Sequence, residues 1–406
     1  MMQYSNLESN IGKVNSNLVW LFLFLLFYIS ADTSFFKGDA TSIYGRILNV
    51  FIVSSATITV FVNRHKLPIK FFLPFGIIFF SFIITIIVNR SFSGGYIYLF
   101  SLYLIAIFIV GKVSFKDFCT YYEKLVFFFA VCSLLFYVFR LLGIGYSLID
   151  VVHNDVIYHH NILNSHLGSF YTTLRNISIF REPGVFAIYL NFAILINSLK
   201  DNKVFIRLLI LYVALITTFS TSGIIVGFLL LLLIFDPKKL NPLVLILLII
   251  GLIFFSIFIG YESIINSEYA MNTFGKLSVS SDTYASTFAR TSSIYVPLKI
   301  FIENPLGIGF DNFIELYSTT SYELYKESLS TGMSTNTITN MFARFGFIGI
   351  FTIIWVYRLA NLFSFVGIYK WLIFTIFLLC FFSQDLWNST VFTTFLIYGM
   401  SHGRNK

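Results

Sequence analysis

Residues 178–190 read SIFREPGVFAIYL, and the run continues without another charge to Leu199. Arg181, Glu182, Pro183 and Gly184 stand directly before an apolar segment of helical length. A proline fits the first helical position, where the missing N–H has no intrahelical partner to lose. Glu182 then lies at the helix N-terminus, where the macrodipole favours a carboxylate. The stretch therefore predicts a helix over about 183–199. The same dipole disfavours Arg181, and a charge at the mouth of a lipid-embedded helix is costly. Arg181 thus calls for an anionic partner, either Glu182 or a ligand phosphate.

The surrounding composition supports lipid as the solvent. The chain has 406 residues, 57% hydrophobic and 11% charged, with 51 phenylalanines and a mean hydropathy of +0.83. A soluble domain carries roughly 25% charged residues. Apolar runs near the roughly 20 residues needed to cross a bilayer follow one another. The fold class expected is an all-α polytopic membrane protein, 1–406 forming a single integral membrane domain. About twelve spans are expected near 17–36, 41–62, 67–88, 92–111, 118–142, 183–199, 205–221, 222–235, 241–260, 336–357, 362–382 and 386–400. The stretch 205–235 reads as two helices or as one broken around Ser220–Gly223. No cleavable signal peptide is expected, because the N-terminus is polar and no small-residue cleavage site follows the first apolar run.

Basic residues recur in every second loop: Arg64 and Lys66, Lys112 and Lys116, Lys200 and Lys203, Lys238 and Lys239, Arg358, then Arg404 and Lys406 in the tail. This positive-inside pattern predicts cytoplasmic termini. The formal net charge of +8 is then topological and does not point to nucleic acid. Cys119, Cys132 and Cys380 fall in or at the inner ends of spans, so no disulfide framework is indicated. The chain shows no internal repeat of the kind that marks many transporters.

Two long outer loops, 143–182 and 261–335, hold Arg175, Arg181 and Arg290 on the side where the topology rule disfavours arginine. They are read as functional; the plainer alternative is headgroup anchoring by snorkelling. The first loop carries four of the six histidines, His153, His159, His160 and His166, near Asp150 and Asp155. Imidazoles and carboxylates are good metal ligands, but no HxH or HExxH spacing is present. A polar rim touching substrate, with His166 in it, is the preferred reading. In the second loop, Ser286 or Thr287 is a candidate cap for an amphipathic helix presenting Ile294, Leu298 and Phe301 on one face, with Arg290 one turn earlier. Arginine's planar fork grips phosphate oxygens in a bidentate manner. NPLGIGFDNF at 304–313 then turns through glycines that permit close backbone approach, with Asp311 just beyond. The outer-loop tyrosines, among them Tyr261, Tyr269, Tyr284, Tyr317, Tyr322 and Tyr325, are candidates for stacking on sugar rings or for an interfacial belt.

Four segments in this order resemble the Wzy-type polymerases of bacterial surface polysaccharide, a family related in fold to the O-antigen ligases. They are FREPG at 180–184, TTFSTSGII at 217–225, FARTSSIYVPLKIFIENPLGIGFDNF at 288–313 and NTITNMFARFGFIGI at 336–350. Ligases of the superfamily usually carry a His-Asn near the end of the large loop, where this chain reads Ser334-Thr335-Asn336. That departure favours polymerase over ligase. The resemblance implies a GT-C-like architecture in the bacterial inner membrane. It implies transfer of a growing glycan from undecaprenyl diphosphate onto the next lipid-linked repeat unit at the outer face, without metal or cofactor. Arg181, Glu182 and Arg290 are the catalytic candidates it suggests. Arg175, Asp311, Asn336, Arg344 and His166 are the substrate-binding candidates, with Asp311 second to Glu182 as base. The implied partners are the lipid-linked oligosaccharide, the bilayer, a chain-length regulator and a flippase. The alternatives weighed are ligase-type transfer and a lipid-linked oligosaccharide flippase; the latter would line its mid-membrane interior with charge, whereas these spans are nearly charge-free at their centres.

Overall fold

The computed structural model describes residues 23–24, 27, 33–34, 51, 54–55, 72–144, 149–153, 156–161, 163–167, 175–200, 204–234, 284–326, 329, 334–363 and 367–401. The chain divides into two compact units. One comprises 123–288 with 1–2, and the other 3–122 with 289–406. The expected span at 241–260 lies outside the described residues, as do most positions of those at 17–36 and 41–62.

Three helices lead in: α1 Phe72–Asn89, α2 Gly94–Lys112 and α3 Phe115–Leu141. Ser93 caps α2 by accepting the Gly95 N–H, and Arg140 in the last turn of α3 suits the negative end of that helix. By length and composition, α2 and α3 can cross a membrane. Phe128, Val131, Leu135 and Val138 recur at three- and four-residue spacing along one exposed face of α3. An exposed apolar stripe of this kind is stable against lipid rather than water.

In the first unit, α4 (Pro183–Ser198), α5 (Phe205–Thr217) and α6 (Thr221–Ile234) follow. All residues of α4 are buried, as expected of a helix that is apolar all round. Pro183 occupies its first turn and Glu182 its cap position, as the sequence predicts. Of the two readings of 205–235, the structure selects two helices with a break at Thr218–Ser220. Ile206, Leu209, Val213 and Ile216 form an exposed apolar row on α5.

The all-α expectation needs one correction. Between α3 and α4 lies a three-stranded antiparallel sheet in the order β1 (Ile149–His153), β2 (Val156–His160), β3 (Ser165–Leu167). His153 pairs with Val156 across the two-residue Asn154-Asp155 link. The local chemistry favours this: β-branched Val151, Val152, Val156 and Ile157 flank two turn formers. Reading the loop for its histidines concealed that signal.

Helix α7 (Tyr284–Glu303), which belongs to the second unit from Ala289 onward, and α8 (Asp311–Tyr325) occupy much of the expected outer loop. The start of α7 at Tyr284 places Ser286 and Thr287 inside the first turn, so neither is the cap. Its buried row is Ser292, Ser293, Val296 and Ile300, whereas Ile294, Leu298 and Phe301 are only half-buried. Two serines on the inner face disguise that face in a hydropathy reading. Helix α8 was not expected from the sequence.

The expected single span at 336–357 is broken. It consists of α9 (Thr337–Phe345), a 3-10 turn (Gly346–Gly349) and α10 (Ile350–Phe363). Then come α11 (Gly367–Ser383) and α12 (Thr390–Ser401). Every residue of α12 is buried, and the Tyr398 hydroxyl donates to the Val113 carbonyl at the end of α2. Among the described residues, each unit thus contains a short helix with no exposed face.

Candidate functional site

In the first unit, a buried strap over 176–180 leads into α4. Asn176 organises it: its Nδ2 donates to Ser133 Oγ and Thr217 Oγ1, both at 3.0 Å, and its Oδ1 accepts the Ser178 N–H at 3.1 Å. Phe180 stacks on Phe186 and Tyr189 at ring separations of 5.3 and 4.3 Å. This contact across the helix start fixes the angle of entry, in the manner of a hydrophobic staple. The Tyr158 hydroxyl donates to the Arg181 carbonyl at 3.1 Å, tying β2 to the strap.

Arg181 and Glu182 stand at the end of this strap with 3.8 Å between Nη1 and Oε1, their side chains 19% and 38% exposed. Glu182 makes no side-chain capping bond. A loose, partly solvated pair of this kind contributes little to stability. Arg175 is placed otherwise: its Nε and Nη2 donate to the carbonyls of Thr218 and Phe219, at 3.2 and 3.1 Å. These carbonyls end α5, where a cation complements the dipole. The geometry gives Arg175 a bracing role at the α5–α6 break.

His166 sits on β3 beside His159, with rings stacked at 4.7 Å. The register pairs Asp150 with His159 and His159 with His166, and His159 Nδ1 lies 2.7 Å from Asp150 Oδ1. Burial lowers the His166 pKa to about 4, with Arg140 and His159 adding to the shift and Asp150 opposing it. The free imidazole titrates near 6.5, so unfolding of the sheet takes up a proton between pH 6.5 and about 4. Local stability is present above pH 6.5 and falls as pH drops toward 4. A side-chain NMR titration is expected to show His166 neutral through pH 5–8; a midpoint above 6 would refute the burial argument.

In the second unit, two of the singled-out motifs lock together by their backbones. Ile308 N donates to Ala343 O and Gly309 N to Arg344 O, both at 3.0 Å, while Phe347 N donates to Pro305 O at 2.9 Å. Gly307 and Gly346 have φ of +84° and +62°, and a Cβ on either would lie within 2.7 Å of the opposing backbone. Only glycine permits both the conformation and the approach. Asn89 adds its Nδ2 to the Gly307 carbonyl at 2.9 Å. Asp311 opens α8, and its Oδ2 accepts from Ser91 Oγ at 2.9 Å.

This lock delivers Arg344 to a cage of aromatic rings. Its Cζ lies 4.5 Å from the ring centres of Phe313 and Trp387 and 5.4 Å from that of Phe310. Cation–π contacts of this kind gain strength when desolvated, and Arg344 is only 9% exposed. Asp385 lies near enough to interact with it electrostatically and accepts the Trp387 indole N–H at 2.9 Å. Asn336 caps α9 by accepting the Thr339 N–H at 3.0 Å. Thr337 is fastened to the segment after α11: its hydroxyl donates to Gln384 O at 2.6 Å and accepts the Leu386 N–H at 2.8 Å. Thr339 Oγ1 donates to Ser293 O at 2.9 Å, and Ser293 Oγ to Arg290 O at 2.7 Å. Arg290 therefore lies on α7 one turn from the contact with α9. Burial raises the pKa of the Tyr317 phenol on α8, with Ser292 and Ser334 beside it partly offsetting the shift.

The predicted residues divide accordingly. Arg175, Arg181, Glu182 and His166 belong to the first unit. Arg290, Asp311, Asn336 and Arg344 belong to the second, where Arg344 and Asn336 share α9. Sequence reasoning missed Asn340, Phe313, Asp385 and Trp387. The signal for the first was present: 336, 340 and 344 are spaced i, i+4, i+8, one face of a helix.

Residues 206–354 match a family model described as O-antigen ligase. The matched stretch runs from the first turn of α5 into α10 and contains Arg290, Asp311, Asn336 and Arg344; Arg175, Arg181, Glu182 and His166 precede it. No curated protein matches the chain. The match supports a relation to the O-antigen ligase superfamily, and with it membrane-bound glycan transfer in surface-polysaccharide biosynthesis. It does not separate polymerase from ligase.

Proposed function

We propose that this protein polymerises undecaprenyl-diphosphate-linked repeat units into a surface polysaccharide at the outer face of the inner membrane. The observation that carries polymerase over ligase is at 334–336. Where ligases carry histidine, Ser334 donates its hydroxyl to Asn340 Oδ1 at 2.6 Å and Asn336 serves as a helix cap. No imidazole stands at that position to take a proton.

In the reaction, the bond between the anomeric carbon of the growing chain and the diphosphate oxygen breaks. A hydroxyl of the incoming repeat unit forms the new glycosidic bond and gives up its proton. Lipid diphosphate leaves carrying the displaced electron pair. Charge developing on that leaving group is best met by preorganised donors in a partly dry site. Arg181 and Arg290 are the candidates, as arginines of the two expected outer loops. Glu182 is the candidate base, since an acceptor-only carboxylate near a sugar hydroxyl accelerates its attack; Asp311, engaged by Ser91, is the second choice.

The test is a gel assay of purified protein with its lipid-linked oligosaccharide. A ladder of lengthening chains with release of lipid diphosphate is expected. Arg181→Ala and Arg290→Ala should each lower the rate at least a hundredfold without loss of folded protein. Transfer of a single glycan to a non-glycan acceptor would make the protein a ligase. Movement of substrate across vesicles without any bond formed would exclude the enzyme reading.

A further inference from the structure

Helix α9 and its cap carry a row of donors that nothing among the described residues satisfies. Asn336 Nδ2, Asn340 Nδ2, and Nε and Nη1 of Arg344 are buried without a hydrogen-bond partner among the described residues. Asn336 and Asn340 are 0% and 1% exposed. Their carbonyl oxygens are already used, by the Thr339 N–H and the Ser334 hydroxyl respectively. Each amide is thus oriented by its oxygen and presents its NH2. Buried polar groups are paired in nearly all native structures, and three on one helical face point to an oxygen-rich ligand.

The charge balance decides which ligand. Arg344 is the row's one formal cation, and Asp385 faces it. On α9 itself a diphosphate would meet a single cation, offset by a nearby carboxylate. Neutral hydroxyls accept from amide and guanidinium N–H groups without that mismatch. Asn388, the residue after Trp387, has a buried carbonyl oxygen that also lacks a partner among the described residues. A hydroxyl can donate to it, whereas an ionised phosphate cannot.

We infer that the Asn336–Asn340–Arg344 face of α9 is a subsite for a neutral sugar of the repeat unit, distinct in chemistry from the diphosphate-binding function. The inference rests on the polymerase reading for the source of the sugar. Arg344 orients at one end, with Trp387 and Phe313 holding its guanidinium, and the two amides read successive hydroxyls along the helix.

Asn336→Asp and Asn340→Asp keep the accepting oxygens for Thr339 and Ser334 and replace only the donor. The probe is the reducing oligosaccharide released by mild acid from the producing cell's lipid-linked pool, free of lipid and phosphate. Ligand-observed NMR should show it binding wild type, uncompeted by inorganic pyrophosphate. Each aspartate variant should bind at least tenfold more weakly with an unchanged melting temperature. Unchanged affinity in both variants, no binding to wild type, or competition by pyrophosphate would overturn the subsite.

A diazirine-tagged form of the same oligosaccharide gives a reading that does not depend on the variants folding. Label in peptides covering 334–345 or 384–389 supports the subsite, and label confined elsewhere refutes it. Wild type that makes the gel ladder but shows no such label would sink the subsite and leave polymerisation standing. Label without a ladder would do the reverse.

Discussion

Gly346→Ala is expected to destabilise the protein by roughly 3–5 kcal/mol, a loss large enough to remove most of it from the folded fraction. The residue has φ +62° and ψ −143° at the C-cap of α9, a backbone that disfavours any Cβ by about 1–2 kcal/mol. A methyl group there would also lie 2.2 Å from the Pro305 carbonyl oxygen and 2.5 Å from the Leu306 carbonyl carbon. Both are backbone atoms, so no rotamer change relieves the clash. The opposing segment must withdraw, and the three bonds from Ile308, Gly309 and Phe347 go with it, each worth about 1 kcal/mol net. Arg344 would then lose its position against Phe313. Thermal unfolding in detergent followed by size exclusion measures the effect. Gly76→Ala is the control, because nothing lies within 4 Å of its added methyl group. A melting temperature for Gly346→Ala equal to that control would refute the locking role.

The second large effect is expected at Glu123, which the sequence reading passed over. Its carboxylate is fully buried and 2.7 Å from Lys200 Nζ. Arg207 Nη1 approaches to 3.4 Å, and Asn197 Nδ2 donates at 2.8 Å. The cluster joins α3, the end of α4 and the start of α5 within the first unit. Removing one partner from a buried ion network costs about 3–5 kcal/mol, because the remaining charges keep their desolvation without their attraction. Lys200 and Arg207 are 27% and 33% exposed and can turn partly toward solvent, so Glu123→Leu is expected at the low end, near 3 kcal/mol. Lys200→Ala should cost less, since Arg207 and Asn197 still meet the carboxylate. The double variant should be less damaged than the sum of the two. Equal melting temperatures for wild type and Glu123→Leu would show that the network contributes nothing.

These two positions mark where sequence reading stopped. Apolar runs are written locally, and they located α1 to α6, α11 and α12 to within a few residues. The start of α4 at Pro183 was legible because proline and the helix dipole act over one turn. A break near Ser220–Gly223 was expected from the sequence, and the structure sets it at Thr218–Ser220. The sheet at 149–167 was legible in principle from its β-branched pairs. Helix α8 was obscured by its polar surface, and the inner face of α7 by Ser292 and Ser293.

What the sequence by itself determined was the solvent, the helical class and a set of arginines, amides and carboxylates in four ordered motifs. Those properties depend on side-chain transfer energies and on neighbours within a turn or two. Only the tertiary structure decided what these groups touch. It turned Arg175 onto the carbonyls ending α5, enclosed Arg344 between Phe313 and Trp387, and left the amides of Asn336 and Asn340 without acceptors among the described residues. Such outcomes depend on contacts between residues tens to hundreds of positions apart. Gly307 meets Gly346 only after folding brings two turns together, and the spacing of either motif alone does not encode that contact.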